Sequence, residues 1–330
     1  MASMYLDSIQ RELLNLLQVD FPLTREPYTD LGLRLGIDGN EVIHRIGQLR
    51  EQGIVRQVSP VLNAWSLGSR TTLAAMRVAE SQVDKAEQLI IGHPGVSHGY
   101  ERAHDFNLWF TLAVPAKADM ENELQQLVSP IGAEAILMLP SVRTFKIGAY
   151  FDMGGNGQPV TDTSVQSAGV ASHNTELSQT DRLIINEIQQ DLALIPTPFN
   201  AIAERLGMDV EYLLAQCQSL QQRGVIRRFG AFISHNRAGF KANAMTCWVA
   251  PPDTVAAAGR RLAELREVSH CYERKTNPLW QYNLFAMIHS HTKETCQDIA
   301  RQISCETGLT EYVLLFSTRE FKKVRIKYLV

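Results

Sequence analysis

Three polar side chains occupy alternate positions in the segment VSHCYER, at His270, Tyr272 and Arg274. Because successive side chains of a β-strand point to opposite faces, a strand here would place all three on one face. They offer a titratable imidazole, a phenol and a fixed cation, a set that an ordinary surface strand seldom carries. We therefore predict that this strand forms part of a functional site.

The same pattern occurs once earlier in the chain, as VSHGYER, with His98, Tyr100 and Arg102 at the matching positions. An Asn-Leu pair follows in both places, at 107–108 and at 283–284. The recurrence predicts a tandem repeat, so the elements that position these residues should also occur twice.

Each half begins with three short segments of helical periodicity. They lie at 6–18, 29–35 and 40–51 in the first half and at 180–190, 199–206 and 210–223 in the second. A glycine closes the third segment of each half, which is typical of a helix-turn-helix unit. Residues 54–62 would form an extended arm leaving the first unit.

Strand and helix patterns then follow in the order βαββαβ in each half, which predicts a ferredoxin-like α+β sandwich. The strands fall at 71–78, 95–102, 106–114 and 135–147, and again at 241–249, 268–274, 281–289 and 312–327. The helices fall at 82–91, 118–128, 254–266 and 294–305. Both helices of such a domain cover one sheet face, so we expect the two copies to cover each other's second face as a pseudo-dimer within one chain.

These patterns divide the chain into five parts. We expect helix-turn-helix domains at 1–62 and 179–238 and ferredoxin-like domains at 63–152 and 239–330. The intervening 153–178 mixes Gly, Ser, Thr and Gln, which predicts a flexible linker.

Composition narrows the class of protein. The 330 residues are long enough for about two domains that each bury a core, and a formal charge of −3 argues against a protein that coats nucleic acid. The sequence shows neither a signal peptide nor an apolar run that could span a membrane. The five cysteines all lie in the second half without CxxC spacing, which indicates reduced thiols in a cytoplasmic protein rather than a disulfide framework or a zinc site.

The order of elements resembles the Lrp/AsnC family of transcription regulators, in which the sheet domain dimerises and binds amino-acid effectors. A longer set of residues is similar to the siroheme decarboxylases, the AhbA/AhbB and NirD/NirL proteins. That set comprises the segment GVIRRFGA at 224–231, His235, Gly239, residues 243–245, Trp248, residues 270–274 and residues 282–284. In many organisms these are two separate chains of a heterodimer, and the present chain resembles their fusion.

The resemblance implies a carboxy-lyase that removes CO2 from the C12 and C18 acetate side chains of siroheme. The product would be 12,18-didecarboxysiroheme, an intermediate of heme d1 or of alternative heme biosynthesis. No organic cofactor is expected, because the iron tetrapyrrole is itself the substrate. Siroheme is thus the expected partner, without nucleic acid or membrane as main partners, and the pseudo-dimer could associate further as a homodimer.

Such a substrate requires cations for its carboxylates, apolar surface for its ring and an acid that protonates the carbanion-like centre left by CO2. We predict catalytic roles for His235, His270, Tyr272 and Arg228. We predict substrate binding by Arg227, Arg274, Trp248, Tyr282, Asn283 and His289, and by His98, Tyr100 and Arg102 of the first half. The protein alone should hold no metal, although His235 or His270 could be an axial ligand of the substrate iron instead of an acid.

The two halves are not equivalent. Where the second half has Arg228, His235 and His289, the first has Gln57, Ala64 and Ala113. This difference favours one principal site built mainly by the second half. It predicts that His235→Ala abolishes turnover and that His98→Ala reduces it less.

Other interpretations of the same residues remain open. A single strand histidine is more often a hydrogen-bonded core or surface residue than a catalyst, and Trp248 and Tyr282 could be core aromatics. We expect the basic residues of the last strand on a solvated face or at a subunit contact; they are Lys322, Lys323, Arg325 and Lys327. At the level of the whole protein, the alternatives are a tetrapyrrole-sensing transcription regulator and a subunit that needs another chain for activity. Acidic residues on the third helices weigh against DNA binding as the main function.

Overall fold

The computed structural model describes residues 6–19, 21–148, 150–154, 176–234 and 237–328. The helices are α1 (Ser8–Val19), α2 (Pro27–Leu35), α3 (Gly39–Glu51), α4 (Val83–Gly92), α5 (Met120–Val128), α6 (Gln179–Ile188), α7 (Pro198–Leu206), α8 (Val210–Gln222), α9 (Val255–Glu264) and α10 (Lys293–Thr307). The strands are β1 (Val55–Leu62), β2 (Ser69–Arg77), β3 (Val96–Arg102), β4 (Leu108–Pro115), β5 (Ala135–Ile147), β6 (Ile226–Ile233), β7 (Ala242–Trp248), β8 (Val268–Arg274), β9 (Leu284–Ser290) and β10 (Tyr312–Lys323). Most of the predicted linker and His235 lie outside the described residues.

The helix-turn-helix units form where the sequence predicts them, and their turns show why. α2 begins with Pro27, whose fixed φ suits a first helical turn, and ends before Gly36, which has a left-handed φ of 68°. Asp38 then caps α3 by accepting a hydrogen bond from the N–H of Asn40. The corresponding residues of the second half are Pro198, Gly207 and Asp209.

The two helix-turn-helix units share one hydrophobic core. Tyr28 on α2 is fully buried, and its hydroxyl donates to the carbonyl of Ala193 in the second unit at 2.9 Å. Arg50 on α3 forms an ion pair with Asp191 of the second unit at 2.8 Å. The units therefore pack against each other rather than acting as separate domains.

β1 and β6 pair as an antiparallel ribbon that joins the halves, with Ser59 opposite Gly230. A side chain at position 230 would bring its Cβ within 2.5 Å of the carbonyl oxygen of Leu17, so only glycine fits there. The predicted arm at 54–62 is therefore a strand, and its partner is its own counterpart in the other half.

Within the described residues, eight strands form a closed barrel in the order β10-β3-β4-β2-β5-β8-β9-β7. Two long strands close it by crossing between the halves. Residues 135–140 of β5 pair with β2, and residues 141–147 pair with β8. Likewise, residues 312–316 of β10 pair with β7, and residues 317–323 pair with β3. The tandem repeat and the pseudo-dimer are thus confirmed, with the two sheets continuous through β5 and β10.

The helices pack on the outside of the barrel, where α4 and α5 cover the strands of the first half and α9 and α10 cover those of the second. The interior is filled by apolar side chains of both halves, among them Trp109, Leu137, Met245, Phe285 and Leu315. Both sheet faces of each half are thus covered within the single chain, as the pseudo-dimer requires.

Two lysines of the crossing strands lie over helix ends. Lys146 donates to the carbonyl of Leu265 at 2.7 Å, just after α9. Lys322 donates to the carbonyls of Ile91 and His93 at 2.7 Å each, at the end of α4. A cation is favourable there because the last carbonyls of a helix carry partial negative charge. Of the two places predicted for Lys322, a solvated face is wrong because the residue is buried, and its contact is instead with α4 of the other half.

Candidate functional site

β8 presents His270, Tyr272 and Arg274 on one face, as the alternation predicts. The imidazole of His270 stacks on the Tyr272 ring, with centroids 6.2 Å apart and planes 20° apart. The Arg274 guanidinium carbon lies 4.6 Å from the centroid of the same Tyr272 ring. Cys271, between them in sequence, packs instead into the apolar cluster under α9 and α10. We call the three residues the β8 column.

β3 of the first half carries the matching β3 column of His98, Tyr100 and Arg102. The His98 and Tyr100 rings stack with centroids 6.4 Å apart and planes 19° apart. The Arg102 guanidinium carbon lies 5.3 Å from the Tyr100 ring centroid. A β-bulge precedes the histidine of each column, where the local twist increases. The repeated sequence thus folds into a repeated local geometry.

The two histidines face each other across the barrel. Burial, together with the charge of His98 on the opposite strand, lowers the pKa of His270 to about 3. Burial likewise lowers the pKa of His98 to about 4. Since β3 and β8 are not adjacent strands, this interaction reaches across the barrel interior. Both imidazoles are therefore neutral near pH 7, and each ring offers one N–H donor and one bare nitrogen that accepts a hydrogen bond.

Cations from four strands surround the histidines. Arg228 on β6 and Lys146 on β5 contribute to the low pKa of His270, while Lys323 on β10 and Arg56 on β1 contribute to that of His98. Arg227 on β6 also acts on Tyr272, where its charge opposes the effect of burial, which raises the pKa of the phenol. We call Arg56, Lys146, Arg227, Arg228 and Lys323 the cationic ring, since such charges suit a ligand with several carboxylates. In this structure Arg56 and Lys323 lie 3.9 and 3.2 Å from the carboxylate of Glu320, and Lys146 donates to Leu265.

A cavity opens beside the β8 column, with a volume of about 620 Å³. Its lining includes His289, His291 and the aromatic residues Phe151 and Phe240. Such a volume lies in the range of small-molecule and cofactor sites. The cavity is connected to the column by Ser269, whose Oγ lies 2.9 Å from Nδ1 of His270 and 2.8 Å from Nε2 of His289.

Comparison with known proteins assigns the chain to a family. A model described as the siroheme decarboxylase NirDL-like HTH domain matches residues 10–56 and 181–227, and a model of the AsnC-like ligand binding domain matches 66–146 and 237–322. The siroheme decarboxylase of Hydrogenobacter thermophilus is 40% identical over 319 residues, which cover 96% of this chain and 94% of that protein. The chain belongs to the siroheme decarboxylase family.

Two further relatives show how the family is built. The siroheme decarboxylase beta subunit of Methanosarcina barkeri is 40% identical over 46% of this chain and 99% of its own length, so half of this chain matches a complete subunit. The crystal structure of the siroheme decarboxylase NirDL in co-complex with an iron-uroporphyrin III analogue has 35% sequence identity and a TM-score of 0.73. It covers 98% of this chain and 95% of that chain.

Within this siroheme decarboxylase fold, six predicted site residues lie together inside the cationic ring or belong to it. They are His270, Tyr272, Arg227 and Arg228 of the second half, with His98 and Tyr100 of the first. His289 lies at the cavity, on the far side of Ser269. His235 lies outside the described residues, so its role stays a prediction.

The two column arginines bind the crossing strands. Arg274 donates from Nη1 to the carbonyl of Leu139 at 2.8 Å, beside the point where β5 passes from β2 to β8. Arg102 donates to the carbonyl of Leu315, beside the corresponding point of β10. Burial lowers the pKa of Arg102 to about 10. Their contacts support barrel closure, while substrate binding by these two arginines stays a prediction.

Three other predicted substrate-binding residues, Trp248, Asn283 and Tyr282, lie away from His98 and His270. Trp248 packs on the helix side of the sheet, where its indole N–H donates to the hydroxyl of Ser304 at 3.2 Å. Asn283 holds the backbone of Ala250 through both ends of its amide, each at 2.8 Å. Asn107 makes the same bracket with Val78 in the first half, which indicates a structural role for the repeated asparagine.

Tyr282 lies toward the other end of the barrel, against Trp280 with ring centroids 4.9 Å apart. It is five positions before Met287, which is paired with His270, so a fully extended chain would place it roughly 16 Å from that histidine along the direction of β9. In the strand predicted at 281–289, alternation would place Tyr282 and Phe285 on opposite faces, but both contact the interior cluster. The alternation fails because β9 begins at Leu284, so Tyr282 lies before the strand.

Sequence reasoning missed Arg56, Lys146, Lys323 and Ser269 as members of the site. Ser269 was visible in principle, because the repeated motif is Val-Ser-His in both halves. Lys146 also lies in a repeated pattern, RTFK in the first half and REFK in the second. The other two became visible only when the ribbon and the crossing strands brought them to the histidines.

Proposed function

We propose that this protein is a carboxy-lyase that converts siroheme into 12,18-didecarboxysiroheme by removing the C12 and C18 acetate carboxyl groups as CO2. The observation that carries the proposal is the pair of facing neutral histidines inside the cationic ring. A polycarboxylate needs such fixed cations, and protonation of the vacated carbons needs a nearby acid. Family membership and the tetrapyrrole analogue bound in the related crystal structure support the same substrate class.

The chemistry of each step follows from these groups. The cationic ring would hold the carboxylates, and loss of CO2 would leave an electron pair on the side-chain carbon, delocalised into the macrocycle. One proton from an imidazole then turns that carbon into a methyl group. Each acetate thus releases one CO2 and consumes one proton, with no change in oxidation state. We propose no organic cofactor, since the macrocycle itself accepts the electron pair.

On the helix-turn-helix units, arginines that already form ion pairs with carboxylates weigh against the alternative of a transcription regulator. Arg45 on α3 is within 2.7 Å of both Asp7 and Glu41. On the second unit, Arg223 lies 2.8 Å from the buried Asp181. A DNA-binding helix needs such charges for the phosphate backbone, so these units are better suited to structural support of the barrel.

Two features bear on the cellular setting. In the described residues, no helix is long and apolar enough to cross a membrane. All five cysteines are free and four of them are buried, which supports a reducing cytoplasmic location.

The test is anaerobic incubation of the purified protein with siroheme, followed by mass spectrometry of the extracted tetrapyrrole. Loss of two CO2 units is the expected result. Loss of one unit would limit the protein to a single decarboxylation. Recovery of intact siroheme from a protein that binds it would overturn the proposal and favour a sensor, for which DNA retention at physiological salt is the next measurement.

A further inference from the structure

The hydroxyl of Ser269 lies between His270, which is in the barrel interior, and His289, which lines the cavity. It is buried, with 2% of its surface exposed, and its Oγ contacts Nδ1 of His270 and Nε2 of His289 at 2.9 and 2.8 Å. Its Oγ also lies 3.5 Å from the carbonyl oxygen of Met287, which is too long for a good O–H···O bond. The Ser269 hydroxyl therefore donates its single proton in a hydrogen bond to one of the two imidazoles.

The first half provides an internal comparison. Ser97 makes the same contact with His98, with Oγ 2.8 Å from Nδ1. The residue at the position of His289, however, is Ala113, so no second imidazole can accept or supply a proton there. The chain of two imidazoles joined by a hydroxyl is thus specific to the second half, where it leads from the barrel interior to the cavity.

We propose that Ser269 is a positioning residue that joins His289 and His270 in one directed proton relay. In it, Nε2–H of His289 donates to Ser269, and the Ser269 hydroxyl donates to Nδ1 of His270. This direction fixes His270 as the tautomer that carries its proton on Nε2, the nitrogen turned away from the serine. The inference rests on the proposed function, because it assigns the path by which protons reach the substrate.

The relay accounts for how a neutral imidazole can act as the acid. When His270 gives its Nε2 proton to the substrate carbon, Nδ1 receives the Ser269 proton at the same time, so the ring stays neutral. Ser269 is refilled from Nε2 of His289, and water in the cavity supplies a proton to Nδ1 of that imidazole. One proton thus enters from solvent for each CO2 released and the serine is restored, while both imidazoles end with their proton on Nδ1 and must exchange it, by ring rotation or with solvent, before the next CO2 is released.

The first test reads the tautomers directly, without substrate. Imidazole nitrogen chemical shifts of histidine-labelled protein, assigned with His270→Gln and His289→Gln variants, distinguish a protonated Nδ1 from a bare one. We expect His270 of the intact protein with its proton on Nε2, and a mixture of tautomers in Ser269→Ala. A proton on Nδ1 of His270, or the same spectrum in Ser269→Ala, would overturn the relay whether or not the protein is a decarboxylase.

The second test measures kcat and KM for siroheme with matched variants. We expect Ser269→Ala to lower kcat by about tenfold or more while KM changes little, because proton delivery and not binding is impaired. Ser97→Ala, the control in the first half, should change kcat by less than about twofold. Ser269→Ala should have little further effect in a His289→Gln background, since either change breaks the same relay. Equal losses in both serine variants, or independent losses in the double variant, would contradict the relay.

Discussion

In each half the site histidine, His98 or His270, stacks on a tyrosine and has cations nearby. Burial keeps both imidazoles neutral. Their low pKa values also affect stability. An unfolded histidine titrates near pH 6.5, whereas these two remain unprotonated in the folded state down to about pH 4. Below pH 6.5 the unfolded chain therefore binds protons that the folded chain does not, so stability falls as the pH falls.

We predict that lowering the pH from 7 to 5 reduces the free energy of unfolding by about 2 kcal/mol for each of the two histidines. The measurement is urea denaturation of the intact protein and of His98→Gln and His270→Gln at both pH values. Each variant should lose less stability between pH 7 and 5 than the intact protein. Identical losses in all three proteins would show that other groups cause the acid sensitivity.

A second prediction at the scale of residues concerns the ranking of the histidines in catalysis. We expect His235→Ala to abolish siroheme turnover and His98→Ala to reduce it less, because the first half has no counterpart of His235 or His289. His270→Ala should be as severe as His235→Ala if its imidazole delivers the proton. The rates of CO2 loss by these variants, measured by mass spectrometry, decide the ranking, and a larger loss in His98→Ala would reverse the assignment of the principal half.

At the scale of elements, the β1–β6 ribbon is what brings arginines to the barrel. Residues 55–62 and 226–233 are far apart in the chain, but their pairing places Arg56 beside His98 and Arg228 beside His270. The two long strands contribute a lysine each, Lys146 and Lys323, after crossing to the other half. The site therefore depends on pairing between the repeats.

The ribbon can be tested at the position where the two repeats differ in charge, with Gln57 in β1 and Arg228 in β6. We predict that Arg228→Gln, which introduces the residue found at Gln57, weakens binding of iron-uroporphyrin III by about tenfold or more, because a charge-assisted contact to a carboxylate is lost. Binding should also become less sensitive to salt. The measurement is absorbance titration at low and high salt.

Arg205→Gln is the control for that titration. Arg205 is an exposed arginine on α7 that pairs with Glu187, away from the barrel. It should leave both the affinity and the salt dependence unchanged. Equal effects of the two substitutions would mean that overall charge, and not the ribbon, governs binding.

At the scale of the whole molecule, the barrel makes each half incomplete. β5 and β10 each complete the sheet of the other half, and Arg102 and Arg274 donate to them beside the crossing points. A half alone would leave the edges of β3 or β8 unpaired and its column exposed. This agrees with the relatives of half length, which are subunits.

We predict that a chain broken between residues 155 and 175 still folds and decarboxylates siroheme when both fragments are produced together. Either fragment produced alone should aggregate or self-associate, because the unpaired strand edges remain exposed. Size-exclusion chromatography and the mass-spectrometric assay test both statements. A stable, active monomer of one fragment would show that a half is complete by itself.

The sequence alone determined the tandem repeat, the order of helices and strands, and the shared face of His270, Tyr272 and Arg274. These properties are local, because side-chain alternation and helical periodicity are written in neighbouring residues. For the same reason the family resemblance, carried by short motifs, led to the correct family. Where local regularity ends, as before Leu284, the same reasoning misplaced Tyr282.

Only the tertiary structure decided which chemistry-bearing residues meet. Trp248 and Asn283 belong to the resembling motifs, yet one packs under α10 and the other brackets the backbone of Ala250. The sequence did not single out Arg56, and it predicted a solvated face or a subunit contact for Lys323, yet both lie beside His98. Pairing between distant strands determines these neighbours, and it depends on barrel closure across the whole chain, which no short segment encodes.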